Sequence, residues 1–357
     1  MRKKIVLTGG GTAGHVTPNI ALIPALKELG YDIYYIGSYD GIEKKLIADY
    51  DIPYTGIATG KLRRYFDVKN FTDPFRVIKG FREAKHTLRK INPDVVFSKG
   101  GFVSVPVVRA ARVLKIPVIC HESDMTPGLA NKLSIPSATK VCCNFPETVS
   151  DLPADKAVLT GTPIRAGLLS GDREKALAFT GLPDDKPHLM IIGGSLGAQA
   201  VNEAVRAALP ELLPHFRIMH LCGKGKMDES LEGTEGYVQY EYIKEELPDL
   251  FALADVVISR AGANAICELL ALKKPNLLIP LSKNASRGDQ ILNARSFEKQ
   301  GFSVVLEEEE VTTETLTAAV LKLYDERAKY VSAMAESKTA DAIEIITGLI
   351  ESLAKKS

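Results

Sequence analysis

The chain has 357 residues, of which 45% are hydrophobic and 25% are charged, and its formal net charge is +1. This length exceeds what one hydrophobic core usually serves, so we expect two domains, and the near-neutral charge gives no reason to expect a nucleic-acid partner. Apolar runs fall short of the roughly 18 residues that span a membrane, and the apolar stretch within Met1–Gly10 is short for a secretion signal. We therefore expect neither a spanning helix nor export.

The first half alternates short β-branched runs with amphipathic segments, which is typical of a parallel sheet with crossover helices. The first strand runs directly into a glycine-rich turn, Gly9-Gly10-Gly11-Thr12-Ala13-Gly14, and a helix is predicted to follow it. The predicted strands are Lys4–Thr8, Asp32–Gly37, Asp94–Ser98, Pro117–Cys120 and Lys140–Cys143.

The second half repeats this alternation of short β-branched runs and amphipathic segments. A glycine-rich turn, Gly193-Gly194-Ser195-Leu196-Gly197, again follows its first strand. Helices are predicted over Ala198–Leu213 and Asn264–Ala271. The predicted strands are Leu189–Ile192, Phe216–Leu221, Gly236–Tyr240, Asp255–Ser259 and Asn276–Pro280. The sequence therefore predicts an α/β protein with two Rossmann-like parallel-sheet domains.

The domain boundary is predicted at the turn-prone stretch Thr160–Pro163, which follows the strand-like Ala157–Leu159, and a cleft is expected beside it. This gives an amino-terminal domain over residues 1–162, a carboxyl-terminal domain over 163–338, and a terminal segment over 339–357. Apolar residues at near-helical spacing within Ala340–Ala354 predict a helix, which we expect to pack back across the domain junction.

The five cysteines are odd in number, lie in or beside apolar runs, and lack C-x-x-C spacing. They are Cys120, Cys142, Cys143, Cys222 and Cys267. We expect buried free thiols in a reducing compartment.

The two glycine-rich turns favour binding of a diphosphate. Glycines let the backbone approach a ligand, and the following helix offers free N–H groups to an anion. Such glycines can also simply tighten a strand–helix connection. Neither turn has the G-x-G-x-x-G spacing with a later acidic residue that binds a nicotinamide dinucleotide, and no G-x-x-x-x-G-K-[ST] motif indicates an ATPase. A nucleotide diphosphate is the ligand that remains.

Seven sequence elements together resemble one family, the N-acetylglucosaminyltransferases that convert lipid I into lipid II, within the GT-B superfamily. Their order and spacing match over essentially the whole chain. The elements are Gly9–Asn19, Ser98–Ser104, His121–Lys132, Gly161–Arg165, Gly193–Ala198, Ser259–Ala263 with Glu268, and Asp289–Ala294. The resemblance implies GT-B architecture, with two Rossmann-like domains facing across a cleft.

The resemblance also implies a reaction: inverting transfer of GlcNAc from UDP-GlcNAc to the C4 hydroxyl of MurNAc in lipid I. The products would be lipid II, for peptidoglycan synthesis, and UDP. We expect no cofactor and no metal, because the D-x-D string Asp49-Tyr50-Asp51 lies outside every element of the resemblance. The expected location is the cytoplasmic face of the cell membrane, as a peripheral protein.

His15 is the candidate catalytic residue. It follows the first glycine turn at a predicted helix start, which favours the neutral imidazole, and an inverting transfer needs one base to take the acceptor's proton. Alternatively, His15 binds the acceptor phosphate or caps its helix. Thr12, Ala13 and Gly14 are candidate substrate contacts in the same loop. Asp124 stands where the family commonly has Asn, which leaves the acceptor-side contacts open.

Five residues are carried over from the family as contacts to the donor. Arg165 would contact the nucleotide and Ser195 the diphosphate, while Glu268 would accept hydrogen bonds from the ribose hydroxyls. Gln290 would contact the donor sugar, and the backbone of Ile243 would bind the uracil edge. Four of the five have a simpler interpretation: a surface ion pair for Arg165, a helix cap for Ser195, a buried ion pair for Glu268, and core packing for Ile243.

A basic segment, residues 61–90, carries ten Lys and Arg side chains against three acidic ones, a net charge of +7. Apolar residues alternate with these bases. The pattern favours binding to anionic inner-leaflet lipids, although a helix with a solvated basic face gives the same composition. Other cell-wall and division proteins are further candidate partners.

Two rival functions remain open in the sequence. The first is another GT-B lipid glycosyltransferase, with a diacylglycerol acceptor, and the second is a non-catalytic UDP-sugar-binding protein. The elements His121–Asp124 and Gly100–Ser104 argue against the first. His15 together with the basic segment argues against the second.

Overall fold

A computed structural model describes residues 2–60, 69–194, 197–283, 288–337, 339 and 341–354. The chain forms two compact units, one comprising Met1–Arg165 with Asp341–Ser357 and the other Ala166–Ala340. The first unit thus continues three residues beyond the boundary predicted after Thr162, and it includes the terminal segment.

The described strands are β1 (Lys4–Thr8), β2 (Asp32–Ser38), β3 (Tyr54–Ile57), β4 (Val95–Ser98), β5 (Val118–Glu122), β6 (Lys140–Cys143), β7 (Ala157–Leu159), β8 (His188–Ile192), β9 (Arg217–Leu221), β10 (Tyr237–Tyr240), β11 (Val256–Ser259), β12 (Asn276–Leu278) and β13 (Ser303–Val305).

The described α-helices are α1 (Thr17–Glu28), α2 (Ile42–Ile47), α3 (Lys69–Ile91), α4 (Ser104–Val113), α5 (Leu129–Ser134), α6 (Pro146–Ser150), α7 (Arg173–Thr180), α8 (Gln199–Ala207), α9 (Leu209–Leu212), α10 (Leu247–Leu253), α11 (Ala263–Ala271), α12 (Asp289–Lys299), α13 (Thr313–Asp325), α14 (Arg327–Ala335) and α15 (Ala342–Leu353).

The first unit is built on a parallel sheet in the order β3-β2-β1-β4-β5-β6-β7. The register pairs Lys4 of β1 with Asp32 of β2 and Ile5 with Val95 of β4. Since side chains alternate along a strand, Ile5 and Leu7 enter one hydrophobic cluster and Val6 enters the cluster on the opposite face.

Helix α15 covers the first of these two faces together with α1. Ile346 and Ile350 are fully buried in the same cluster as Leu22 and Leu26 of α1. The last described helix in the sequence therefore completes the core of the first unit.

The second unit has a parallel sheet in the order β10-β9-β8-β11-β12-β13. In each sheet the first strand in the sequence, β1 or β8, lies in the interior. The strands that follow it in the chain extend the sheet on both sides. The prediction of an α/β protein with two Rossmann-like parallel-sheet domains is confirmed.

Some predicted elements differ in detail. The helix predicted over Ala198–Leu213 is two helices, α8 and α9, because Pro210 lies in the first turn of α9 and lacks the N–H that an unbroken helix requires there. Strands β3 and β13 were not predicted. All five cysteines are buried free thiols, as expected. In the described part of the chain, no helix combines the length and apolar character needed to cross a membrane.

Candidate active site

The first glycine turn follows β1 and leads into a short 3-10 helix, Ala13–His15, and then into α1. Glu43 holds the turn in place: it is fully buried and accepts hydrogen bonds from Gly11 N at 3.1 Å and Ser38 N at 2.8 Å. Burial disfavours the charge of Glu43, but the Ser38 side chain and backbone N–H donors outweigh it and lower its pKa. The turn is thus anchored by a buried carboxylate.

A second set of contacts fixes the strand end beneath this turn. Asn19 on α1 donates its side-chain N–H to Thr8 O at 3.1 Å and to the Tyr35 hydroxyl at 3.2 Å. The Tyr35 hydroxyl donates in turn to Gly9 O at 2.8 Å. These contacts preorganise the backbone that leads to His15.

His15 has one ring nitrogen engaged by the turn. Its Nδ1 lies 3.2 Å from Gly10 O and 3.1 Å from Thr12 Oγ1. Because a carbonyl oxygen only accepts, this contact assigns the proton to Nδ1 and leaves Nε2 as a proton acceptor. Burial and the neighbouring Lys99 lower the pKa of His15 to about 4, against opposing effects of Gly10 and Glu43. The imidazole is therefore neutral near pH 7.

The other predicted residues of this loop are more accessible: Thr12 and Ala13 are exposed and Gly14 is half-buried. Arg165 is also exposed and is the last residue of the first unit's main segment. These residues are accessible to a ligand.

A second glycine pair, after β4, packs directly against the first turn. A Cβ atom built on Gly101 would lie 2.2 Å from Gly10 O, and Gly101 has φ +82°. Only glycine fits such a position without displacing the neighbouring backbone. The two loops therefore form one surface within the first unit, at the carboxyl ends of β1 and β4.

Glu122, at the end of β5, organises the adjoining loop. Its two carboxylate oxygens accept from Asp124 N at 3.0 Å, Gly128 N at 3.1 Å and the Asn131 side chain at 2.8 Å. Burial raises its pKa, while the Asn131 side chain and the Asp124 N–H oppose the rise. Sequence reasoning named this stretch as a family element but did not give Glu122 a role. The sequence feature that could have indicated a role is an acidic residue at the end of a buried strand, followed nine positions later by Asn131.

The second glycine turn follows β8 and precedes α8, whose N-cap residue is Ala198. The first N–H groups of a helix have no acceptor within the helix, so they can donate to an anion. Gly197 has φ +67°, and a Cβ atom there would lie 2.0 Å from Cys222 O after β9. This close approach requires glycine. Ser195, the predicted diphosphate contact, lies outside the described residues.

The remaining predicted donor residues lie in the second unit. Ile243 follows β10 and is 6% exposed, so its side chain belongs to the core. Glu268 is half-buried on α11. Gln290, at the start of α12, accepts a hydrogen bond from Leu281 N through Oε1 at 3.0 Å.

Arg260 directly follows β11 and belongs to the sequence element Ser259–Ala263. Its guanidinium donates to Ile279 O at 3.1 Å and Pro280 O at 3.2 Å and forms an ion pair with Glu308. This arginine is thus occupied in joining the ends of β11 and β12.

The basic segment is described only in part. Residues 61–68 lie outside the described residues, as do the side chains of 69–75. Helix α3 shows a run of exposed bases at Arg76, Lys79, Arg82, Arg89 and Lys90, and between them Ile78 is 52% exposed.

Over the described ranges, no group of three or more His, Cys, Asp or Glu side chains is arranged to hold a metal ion.

Two parallel-sheet units, each with a glycine-rich turn at the carboxyl end of its first strand, define the GT-B architecture of nucleotide-sugar enzymes. Family descriptions match both units: the glycosyltransferase family 28 N-terminal domain over residues 5–143 and the family's C-terminal domain over residues 188–347. The chain belongs to glycosyltransferase family 28. The prediction of a glycosyltransferase is confirmed.

Close relatives match along their full length. Proteins from Lachnospira eligens and Lachnoclostridium phytofermentans are 64% and 65% identical to this chain, over 99% of it and 100% of each relative. Both are named UDP-N-acetylglucosamine--N-acetylmuramyl-(pentapeptide) pyrophosphoryl-undecaprenol N-acetylglucosamine transferase.

Solved structures agree in fold. The crystal structure of Acinetobacter baumannii MurG matches with a TM-score of 0.79 at 27% identity, covering 98% of this chain and 99% of that one. UDP-GlcNAc 2-epimerase from Neisseria meningitidis matches with a TM-score of 0.65 at 14% identity, covering 98% of this chain and 100% of that one. The second likeness is one of fold alone and carries no argument about the reaction.

Proposed function

We propose that this protein transfers GlcNAc from UDP-GlcNAc to the C4 hydroxyl of MurNAc in lipid I, giving lipid II and UDP. The observation that carries the proposal is full-length identity of 64% and 65% to two transferases of that name. The neutral His15 beside two packed glycine loops supplies a chemical group suited to the reaction. The diacylglycerol and non-catalytic alternatives have no comparable support.

His15 is the proposed general base. As the acceptor oxygen attacks the anomeric carbon, Nε2 takes the hydroxyl proton, a new C–O bond forms, and the bond to the UDP oxygen breaks with inversion. The Nδ1 contact to Gly10 O at 3.2 Å supports this role because it fixes the tautomer with a free lone pair on Nε2. Thr12, Ala13 and Gly14 are the proposed acceptor contacts around it.

Negative charge grows on UDP as it leaves. The backbone N–H groups of the second glycine turn and the amino terminus of α8 suit this charge, and Arg165 and Ser195 are proposed to join them. Glu268 is the proposed partner of the ribose hydroxyls, Gln290 of the sugar, and the Ile243 backbone of the uracil. No metal is assigned to the reaction.

The proposed location is the cytoplasmic face of the membrane, where lipid I would be met, with cell-wall and division proteins as further candidate partners. Exposed bases on α3 around the exposed apolar side chain of Ile78 support binding to anionic lipids.

A label-transfer assay tests the reaction. Purified protein is incubated in EDTA with labelled UDP-GlcNAc and a short-chain lipid I analogue, while parallel reactions offer UDP-glucose or diacylglycerol. We expect transfer from UDP-GlcNAc to lipid I only, undiminished by EDTA. Transfer to diacylglycerol, or tight UDP binding with no product, would favour one of the rivals, and loss with EDTA would contradict metal independence.

Flotation with anionic liposomes tests the membrane surface. We expect the double variant Arg76→Glu/Arg82→Glu to lose binding, because two exposed cations on α3 become anions. The matched control is Lys44→Glu/Lys45→Glu, which reverses two exposed charges on α2. Equal binding by both variants would contradict the proposed surface.

A further inference from the structure

His220 is a fully buried histidine in the second unit. It lies on β9 and pairs with Ile191 of β8 in the sheet. Both of its ring nitrogens have a partner: Nδ1 lies 2.8 Å from the Tyr237 hydroxyl, and Nε2 lies 3.0 Å from Asn202 Oδ1. A buried side chain with all its hydrogen bonds satisfied fixes the orientation of its partners. His220 therefore orients Asn202.

The direction of each hydrogen bond in this group follows from one backbone carbonyl. Asn202 is buried on α8 and donates its side-chain N–H to Cys222 O at 2.8 Å. Because a carbonyl oxygen only accepts, the amide nitrogen of Asn202 faces Cys222 and its Oδ1 faces His220. Nε2 of His220 must then carry the proton, and Nδ1 accepts from the Tyr237 hydroxyl.

Cys222 O lies against the last residue of the second glycine turn. A Cβ atom built on Gly197 would lie 2.0 Å from this oxygen, so Gly197 packs directly on it. Gly197 also donates its N–H to Gly194 O at 2.9 Å. The N-cap residue of α8 follows immediately, at Ala198. The position of Cys222 O thus limits where the end of this turn and the start of α8 can lie.

The first unit has a comparable arrangement at its own glycine turn. There the buried Asn19, on the helix after the turn, donates to Thr8 O at the end of β1 and to the Tyr35 hydroxyl. In both units a buried asparagine therefore joins the helix after a glycine turn to a carbonyl oxygen at a strand end. Tyr35 contacts this asparagine in the first unit, and His220 contacts it in the second.

We infer that His220 is a positioning residue of the donor site, which acts through Asn202 to hold the second glycine turn in the form that binds the diphosphate of the donor nucleotide. The inference rests on the proposed function, which places the diphosphate at this turn. A turn that is fixed before the ligand arrives loses less conformational entropy on binding, so it binds an anion more tightly. Burial, and then Arg206, lower the pKa of His220 to about 3, so the ring is neutral near pH 7, as these hydrogen bonds require.

The test is a calorimetric titration of the full-length protein with UDP. His220→Leu removes the N–H that Asn202 accepts. We expect the dissociation constant to rise on the order of tenfold, a typical effect of losing one buried hydrogen bond. His220→Gln offers a side-chain N–H near the position of Nε2 and should bind UDP more tightly than His220→Leu. Should His220→Leu fold poorly, His220→Phe also removes both nitrogens and keeps a ring against Tyr237.

Action through Asn202 is tested with Asn202→Leu, alone and combined with His220→Leu. If His220 acts only by orienting Asn202, the double variant should bind UDP no more weakly than Asn202→Leu alone. The control is Thr180→Val on α7, which removes a buried hydroxyl that donates to Ala176 O at 2.8 Å in the same unit. It should bind UDP like the parent protein.

An unchanged dissociation constant in the apolar His220 variants overturns the inference. Equal losses of affinity in His220→Leu and His220→Gln, or in His220→Leu and Thr180→Val, also overturn it, because the N–H would then not be responsible. Additive losses in the double variant overturn the route through Asn202.

Sugar transfer to lipid I by the parent protein is measured separately. Weaker UDP binding in His220→Leu, in a protein that transfers no sugar to lipid I, supports the positioning role and overturns the proposed function. A parent protein that does not bind UDP overturns both.

Discussion

Lys3 and Glu351, 348 residues apart in the sequence, form an ion pair with a separation of 2.6 Å. The Tyr31 hydroxyl donates to the same carboxylate at 2.5 Å. Both charged side chains are about one-third exposed, so the pair itself contributes at most about 1 kcal/mol. Helix α15 is held on the first unit mainly by its apolar face.

Ile350→Ala should destabilise the first unit by about 2–5 kcal/mol, because it leaves a cavity in a cluster where Ile350 is fully buried. Hydrogen exchange of the β1 amides is a suitable measurement, since it reports on this unit separately. Protection of β1 equal to that of the parent protein would contradict the assigned packing.

Gly348→Ala, on the same helix, should have the opposite sign. Gly348 is exposed, and a Cβ atom there would have no heavy atom within 4 Å. Alanine is favoured over glycine in a helix interior by about 0.5–1 kcal/mol. Increased protection of the α15 amides is expected, and decreased protection would show that the position is not an unstrained helical one.

The pH dependence of activity follows from His15. With a pKa of about 4, the imidazole is neutral over most of the acidic range, so kcat/KM for lipid I should hold until the pH approaches that value. His15→Ala should lower kcat by about 10²–10⁴ with KM for UDP-GlcNAc preserved. A rise in acceptor KM alone would instead indicate that His15 only binds the acceptor.

The same group affects stability against pH. Its folded-state pKa of about 4 lies below the ordinary 6.5, so between these values the unfolded chain binds more protons and folding stability falls as the pH falls. A His15→Ala variant should lose less folding stability as the pH falls from 6.5 to about 4. Chemical denaturation at several pH values measures the free energy of unfolding. If this free energy falls equally with pH in the two proteins, the lowered pKa of His15 is contradicted.

Gly101→Ala should destabilise the first unit by about 1–3 kcal/mol or more, because the residue has φ +82° and its Cβ would lie 2.2 Å from Gly10 O. Gly128→Ala is the matched control, since a Cβ there meets nothing within 4 Å and φ is −65°. Thermal unfolding of the two variants tests this contrast, and equal midpoints would count against the tight packing of the two loops.

Gly197→Ala should weaken donor binding. The added Cβ would lie 2.0 Å from Cys222 O, so the second glycine turn must shift away from β9. An increase in the dissociation constant for UDP, measured by calorimetry, is expected. Gly167→Ala, where a Cβ meets nothing within 4 Å, should bind UDP like the parent protein. Unchanged affinity of Gly197→Ala for UDP would show that this turn does not contact the diphosphate.

The sequence was sufficient to predict features that depend on local pattern. Strand β1 was predicted with the bounds Lys4–Thr8, and both glycine turns were placed directly after the first strand of a sheet. Strand β3 was missed because its residues, Tyr54–Ile57, include a glycine and too few apolar residues to show a period. Short strands of this kind are defined by their neighbours in the sheet.

The polar interior of the site was harder to predict. Glu43 is fully buried although it lies in a sequence rich in charge, because its partners Gly11 and Ser38 come from other elements. Lys99, directly after β4, is likewise only 1% exposed, although its sequence neighbours do not indicate burial. Such burial depends on contacts distant in sequence, which composition and periodicity do not encode.

Helix α15 belongs to the first unit, yet the whole second unit precedes it in the chain. During synthesis, Ile346 and Ile350 therefore leave the ribosome only after the second unit has been made. Until then the face formed by Leu22 and Leu26 lacks its covering helix. During this interval the amino-terminal half of the nascent chain exposes apolar surface. We therefore expect a chaperone to be most needed at this stage of synthesis.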